Sequence, residues 1–109
     1  ANTVACGGNM STDQSLLEVD RIIHEPARLL ITTILAATEQ ADFLYLLNVT
    51  GLTKGNLSTH LSRLEAAGYI SIKKSFRGKV PQTICQLSDE GRKAFETYRK
   101  QINRLLKSR

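Results

Sequence analysis

Apolar residues recur every three or four positions over much of the chain, which is the pattern of helices that bury one side. The first stretch of this kind, which predicts a helix, has four apolar members: Leu16, Val19, Ile22 and Ile23. Proline is tolerated in the first turn of a helix but not inside one. We therefore expect Pro26 to begin a second helix, which ends near Thr38.

Two further helices are predicted close together in the middle of the chain. Asp42 is a good N-cap and precedes a short apolar run, so a short helix is expected after it. Gly51 can adopt the left-handed conformation that ends a helix. Thr53 can then cap a helix over residues 54–67, which Gly68 closes. Two helices joined by a few residues that include a glycine are typical of a helix-turn-helix.

The pattern then changes to alternation, which indicates strands. Ile70, Ile72 and Phe76 fall on one face at a period of two, and a basic turn separates them from a second strand. Together they predict a hairpin over residues 70–87. Pro81 cannot donate to a strand ladder, so that part of the second strand is expected at a sheet edge. Ser88 is expected to cap a long last helix over residues 89–107.

These elements predict one α+β domain that is mostly α-helical, with a small β-hairpin. We assign residues 13–109 to it. Residues 1–12 lie outside it, and residues 1–9 show no periodicity. Two interpretations of them stay open: a disordered native tail, or residues added ahead of a native start at Met10. In the second case Cys6 is not native and Cys85 is the cysteine to explain.

The charge is distributed unevenly along the 109 residues, whose net charge is +5. Residues 1–53 hold two bases and six acids, whereas residues 54–109 hold 13 bases and four acids. Such asymmetry favours a polyanionic partner, and a solvated basic surface is the alternative. No apolar run reaches the roughly 20 residues of a membrane span, and no secretory signal is evident, so we expect a cytoplasmic protein without a membrane partner.

The predicted helix at residues 54–67 has two different faces. Leu57, Leu61 and Leu64 form a narrow stripe that must face the core. The opposite side is small or hydrogen-bonding and carries one bulky cation, Arg63. Such a surface suits a DNA major groove, and an ordinary amphipathic helix is the alternative. The candidate DNA-binding residues here are Lys54, Asn56, Ser58, Thr59 and Arg63.

The predicted hairpin adds cations next to this helix. Residues 54–80 hold six bases against Glu65 alone. A recognition helix followed by a basic hairpin is the arrangement of a winged helix-turn-helix, with the hairpin as the wing. Arg77 is the best candidate for a narrow minor groove, and Lys79 for a phosphate. The candidate DNA-binding residues of the wing are Lys73, Lys74, Arg77 and Lys79.

Three segments resemble MarR/ArsR-like winged-helix transcriptional regulators. Residues 50–70 (TGLTKGNLSTHLSRLEAAGYI) are similar to their recognition segment. Residues 24–31 (HEPARLLI) resemble the opening of their first core helix, and residues 87–95 (LSDEGRKAF) the segment after their wing. The resemblance implies a homodimer that binds a near-palindromic operator in double-stranded DNA. Carried over, the base-reading positions lie among Asn56, Ser58, Thr59 and Arg63.

The chain offers its own argument for a dimer. Apolar residues recur at helical spacing in the last helix, and its distal part extends past any plausible core of a small domain. We expect this stripe to pair with a second copy beside the N-terminal apolar residues, which would set two recognition helices about 34 Å apart. The candidate dimer-interface residues are Leu16, Val19, Ile23, Tyr98, Ile102, Leu105 and Leu106.

Other chemistry has little support in the sequence. His24 and His60 are interpreted first as structural; a backbone hydrogen bond is expected for His24, and a phosphate contact is the alternative for His60. Cys85 is expected to be a buried small hydrophobe. The chain lacks paired cysteines and the common catalytic motifs, so we expect no metal, no cofactor and no enzyme activity. The sequence reveals neither an operator nor a small-molecule effector.

Overall fold

A computed structural model describes residues 18–107, which form four helices and a three-stranded antiparallel sheet. This architecture confirms the predicted α+β fold of a winged helix. The elements follow in the order α1 (Pro26–Ala37), β1 (Ala41–Asp42), α2 (Phe43–Thr50), α3 (Lys54–Ala66), β2 (Ile70–Arg77), β3 (Val80–Leu87) and α4 (Asp89–Lys107). None of these helices is long and apolar enough to cross a membrane.

The first three helices begin where short side chains cap them. The carboxylate of Glu25 accepts a hydrogen bond from the backbone N–H of Arg28 at 2.8 Å, and Pro26 occupies the first turn of α1. Asp42 caps α2 in the same way, and Thr53 caps α3 through its Oγ1 at 3.1 Å from the nitrogen of Asn56. These caps satisfy amide groups that have no partner within the helix.

The predicted N-terminal helix is wrong for residues 18–25, which form turns instead. Asp20 supplies the physical reason. Its carboxylate accepts hydrogen bonds from the amides of Ile22 at 2.8 Å and Ile23 at 3.2 Å. Aspartate commonly offers its neighbours such bonds in competition with the helix ladder. The apolar residues of this segment pack against other elements of the fold, and they do not form one face of a helix.

The sheet has the strand order β1-β3-β2. β2 and β3 pair along their whole length, from Ile70 opposite Leu87 to Arg77 opposite Val80. The two-residue strand β1 was not predicted, and it pairs with β3 only at Ile84 and Cys85. β3 is therefore central near its C-terminal end and an edge at Pro81, as the missing amide of proline requires.

Two apolar clusters hold the described residues together. The larger contains fully buried side chains from α1, α2, α3 and β3, and the inward stripe of α3 lies within it. Cys85 also belongs to it, which confirms the prediction of a buried small hydrophobe. The smaller cluster consists of Val19, Ile23 and Tyr98, with Ile102 partly buried against them. It fixes the N-terminal turns to α4.

The N-terminal end of α4 is held close to the segment that follows α3. Ser88 caps the helix by accepting from the amide of Gly91 at 3.0 Å, and its hydroxyl donates to the carbonyl of Gly68 at 2.6 Å. A Cβ on Gly91 would lie 2.1 Å from the carbonyl oxygen of Tyr69. This position therefore requires glycine, because the start of α4 lies directly against the backbone of Tyr69.

Candidate nucleic-acid interface

Helix α3 presents its two faces as the sequence predicts. Leu57, Leu61 and Leu64 are buried in the larger cluster. All five candidate DNA-binding residues of this helix are exposed: Lys54, Asn56, Ser58, Thr59 and Arg63. Their exposure leaves them available to a partner without any rearrangement of the core.

The loop before α3 fixes where the helix begins. Gly51 ends α2 with φ of +71°, a conformation that favours glycine, and its amide bonds the carbonyl of Leu47 at 3.1 Å. Thr53 then caps α3 two residues later. The connection is therefore short and specified by both of its ends, and it places α3 firmly against α1 and β2.

One candidate base-reading residue is already partly engaged. The hydroxyl of Thr59 donates a hydrogen bond to the carbonyl of Gly55 in its own helix at 3.0 Å. A hydroxyl has a single proton and two lone pairs. In this arrangement Thr59 can offer a partner acceptor lone pairs and a methyl group, but no donated proton.

The wing does not bring all its cations to one side. Successive side chains of a strand point to opposite faces. Lys73 and Arg77 therefore share one face of β2, while Lys74 shares the other with Ile72 and Phe76. All four wing cations are exposed: Lys73, Lys74, Arg77 and Lys79. Gly78, with φ of +66°, allows the tight turn between the strands and leaves Lys79 at its tip.

The six cations of α3 and the wing lack partners within the described chain. In residues 18–107 the ion pairs are Glu25 with His60 and Glu96 with Arg99. None of the six makes a side-chain hydrogen bond to another described residue either. Over residues 54–80 these six cations stand against Glu65 alone, so positive charge predominates on α3 and the wing.

Both histidines make contacts that the sequence did not predict. His24 Nδ1 lies 2.7 Å from the hydroxyl of Tyr98, so its partner is a side chain of α4 and not a nearby backbone group. His60 Nδ1 lies 3.0 Å from a guanidinium nitrogen of Arg28. Arg28 is itself buried, although it was not a candidate residue. Its spacing from the core residues Ile31 and Leu35, three and seven positions on, is the signal that could have indicated this burial.

The candidate dimer residues divide into two groups. Val19, Ile23 and Tyr98 are buried against one another within the chain, so they have little surface left for a second copy. On distal α4, Ile102 and Leu105 are half-buried, and Leu106 is 67% exposed. Leu16 lies outside the described residues. An interface through α4 would therefore depend on its last two turns.

Burial shapes the acid–base properties of three side chains. It raises the pKa of the Cys85 thiol to about 11, with smaller contributions from the carboxylates of Glu65 and Asp42. It likewise raises the pKa of Tyr69 to about 12, helped by the hydrogen bond that the Tyr69 hydroxyl donates to Asp20. Burial also raises the pKa of Tyr98. At neutral pH these groups are uncharged, so Cys85 lacks the thiolate that a redox sensor needs.

An apolar groove lies between the wing and the start of α2. Its volume is about 570 Å³, and exposed side chains of Leu44, Phe76 and Val80 line it together with Lys74 and Arg77. This groove was not predicted, because it depends on how far the wing extends past the core.

Comparison with known proteins identifies the fold and the family together. Residues 27–106 match the family model described as "Winged helix DNA-binding domain". The chain belongs to this family. An uncharacterized protein from Methanocaldococcus jannaschii is 37% identical over 89 residues, which are 81% of this chain and 96% of that protein. The winged-helix fold that the resemblance of the three sequence segments implies is thereby confirmed.

Solved structures of transcriptional regulators share the fold. A transcriptional regulator homologue from Pyrococcus horikoshii matches with a TM-score of 0.82 and 26% identity, over 87% of this chain and 96% of that one. The PcaV transcriptional regulator from Streptomyces coelicolor, solved with its natural ligand, matches with a TM-score of 0.69 and 18% identity, over 99% and 82%. The chain is thus a winged-helix DNA-binding domain that shares its fold with these regulators.

Proposed function

We propose that this winged-helix protein is a homodimeric regulator of transcription that binds specific sequences in double-stranded DNA. Helix α3 enters the major groove, and the wing contacts phosphates or the adjacent minor groove. The observation that carries the proposal is the exposure of six cations on α3 and the wing, which lack partners among residues 18–107. When such cations bind DNA phosphates, they release the counterions condensed there, and this release favours binding.

Base contacts are assigned to the exposed face of α3. Arg63 can donate two hydrogen bonds to a guanine, and Asn56 can bond an adenine. Ser58 and Thr59 are small enough to allow a close approach, and the lone pairs of Thr59 would favour a base amino group as partner. These assignments distinguish α3 from the wing, whose cations would bind phosphates whatever the sequence.

The two faces of the wing suggest which of its cations contact the DNA. Lys73 and Arg77 lie on one face of β2, so the two can follow one strand of phosphates while Lys79 reaches forward from the turn. Lys74 points to the face that continues the core, and we expect it to contribute less than Lys73. A narrow minor groove, where arginine is favoured, is the alternative position for Arg77.

Dimer formation is assigned to distal α4. An exposed leucine at the end of a long amphipathic helix is stabilised when a second copy covers it, and a two-fold interface would repeat the contact symmetrically. Leu106→Glu should shift sedimentation equilibrium toward the monomer. Lys100→Glu, on an exposed position of the same helix, should leave the dimer intact. A monomeric wild-type protein, or equal effects of both substitutions, would contradict this assignment.

The experiment for the whole proposal is duplex binding over a series of salt concentrations. It compares random fragments with fragments from the protein's own upstream region. We expect steep salt dependence on both and tighter binding to the upstream fragment. No binding at low salt would refute the DNA-binding proposal.

A second candidate is a winged helix that binds another protein. The groove lined by Leu44, Phe76 and Val80 favours it, because exposed apolar patches commonly mark interaction sites. The same titration separates the two candidates, since a protein-interaction domain should bind random duplex weakly and without steep salt dependence. The reducing cytoplasm remains the compartment that we propose.

A further inference from the structure

A buried arginine connects the start of α1 to helix α3. Arg28 is only 8% exposed, although it carries a permanent charge. Its Nε donates to the carbonyl of Ile22 at 2.6 Å, and a terminal guanidinium nitrogen lies 3.0 Å from Nδ1 of His60. A buried charge is tolerated when its hydrogen bonds are made in this way. Arg28 thus joins the N-terminal turns, α1 and α3.

The chemistry of arginine fixes the protonation of its partner. A guanidinium only donates hydrogen bonds, so Nδ1 of His60 must accept. The imidazole is therefore neutral and carries its hydrogen on Nε2. The contact of α3 with Arg28 exists only while His60 is in this form.

We propose that His60, when neutral, is a positioning residue that holds α3 through Arg28 in the orientation that binds DNA, and that its protonation weakens binding. The inference rests on the proposed function. His60 need not touch DNA for this role, because it acts through the placement of its helix.

The charged groups around His60 support a change of partner on protonation. Arg28 of α1 faces the ring directly, and Glu25 Oε1 at the N-cap of α1 lies 3.9 Å from the same Nδ1. On α3 itself, Arg63 follows one turn later. A protonated ring can no longer accept from Arg28 and is repelled by it, while the carboxylate of Glu25 attracts it. His60 would exchange one partner for the other, and α3 would lose its hydrogen bond to the buried guanidinium.

The direction of the pH effect separates this role from a direct contact. If His60 touched a phosphate, protonation would add a positive charge at the interface and strengthen binding. If His60 positions α3, protonation removes a structural contact and weakens binding. The two roles therefore predict opposite signs.

The test uses the full chain and its H60N variant. The side-chain oxygen of asparagine can lie near the position of Nδ1 and accept from Arg28, but it does not titrate. Affinity for an upstream duplex is measured from about pH 7.5 to about 5.5, the range in which histidines ordinarily titrate, at constant ionic strength. We expect wild-type binding to weaken roughly five- to tenfold, and H60N binding to change much less. His24 is present in both proteins, so its titration cancels in the comparison.

Each outcome has a defined meaning. Tighter wild-type binding at low pH, or parallel curves for the two proteins, would overturn the positioning role and leave the proposed function intact. No binding by the wild type at pH 7.5 would overturn both. If H60N does not fold, the wild-type protein alone provides the test. The sign of its change in affinity with pH then decides, provided that the midpoint of this change coincides with the titration of His60 followed by NMR.

Discussion

Two regions of this small domain use their polar side chains in opposite ways. Polar groups of the N-terminal turns and α1 are bonded to side chains elsewhere in the fold: Asp20 to Tyr69, His24 to Tyr98 of α4, and Arg28 to His60 on the partly buried side of α3. In α3 and the wing, six cations have no such partner in the described chain. The polar groups of the first region therefore stabilise the fold, whereas those of the second remain available to a ligand.

This difference is more informative than charge alone. A histidine or an arginine can belong to either region, and the sequence does not say which. The partners decide: Arg28 is held by Ile22 and His60, whereas Arg63 on α3 is exposed and has no ion pair among residues 18–107. Substitutions in the two regions should therefore separate stability from DNA binding.

The largest expected effect lies on the buried face of α3. Leu57→Ala should lower the free energy of unfolding by about 3 kcal/mol, because it removes a fully buried side chain from the larger cluster. Ser58→Ala, on the exposed face next to it, should change it by less than about 0.5 kcal/mol. Denaturant unfolding measures both. Equal losses would mean that the two faces of α3 are not distinct.

The next comparison sets a paired cation against an unpaired one. Arg28→Met should destabilise the fold by about 2 kcal/mol, because the carbonyl of Ile22 loses its charged donor in a half-buried site. Lys73→Met should leave stability within about 0.5 kcal/mol. Thermal or denaturant unfolding of both variants tests this. A stable Arg28→Met variant would remove the structural role of the buried arginine.

A substitution on the exposed face of α3 should act on DNA binding alone. Arg63→Ala should weaken the specific complex by about 1–3 kcal/mol if the side chain pairs with a guanine, with unchanged unfolding. Arg99→Ala removes an exposed arginine from α4, where Glu96 lies 3.3 Å away, and serves as the control. Equal losses on specific and random duplexes would reassign Arg63 to a phosphate contact.

The smallest effect should move stability and binding in opposite directions. A Cβ at Gly55 would meet no atom within 4 Å, so Gly55→Ala should stabilise α3 by about 0.5–1 kcal/mol. The added methyl group would lie on the face proposed to approach the bases, and we expect weaker binding to the specific duplex. Unfolding and binding titrations of the same preparation test the pair of effects. Tighter binding would place Gly55 outside the interface.

The sequence predicts most of the elements because their ends carry strong local signals. Pro26, Asp42, Thr53 and Ser88 each begin a helix where predicted. The N-terminal helix fails for residues 18–25 because the apolar spacing there serves packing against α4, and Asp20 bonds the local amides.

The site is predicted in part for a similar reason. Exposure of the α3 and wing candidates follows from periodicity, which is local information. The division of the wing cations likewise follows from the alternation of side chains along β2. The contact between Arg28 and His60 joins residues 32 positions apart, so it cannot be derived from spacing within one element. The DNA contacts themselves remain predictions.

Two charge-matched variants decide whether the unpaired cations of the wing bind DNA. One variant replaces Lys73, Arg77 and Lys79 with alanine, and the other replaces Arg92, Lys93 and Lys100 of α4, which are also exposed. Both lose three charges. We predict that the wing variant lowers the slope of log affinity against log salt by roughly three for each protomer on the DNA, about six for the proposed dimer, while the α4 variant lowers it by much less than one. Equal changes in the two slopes would contradict it.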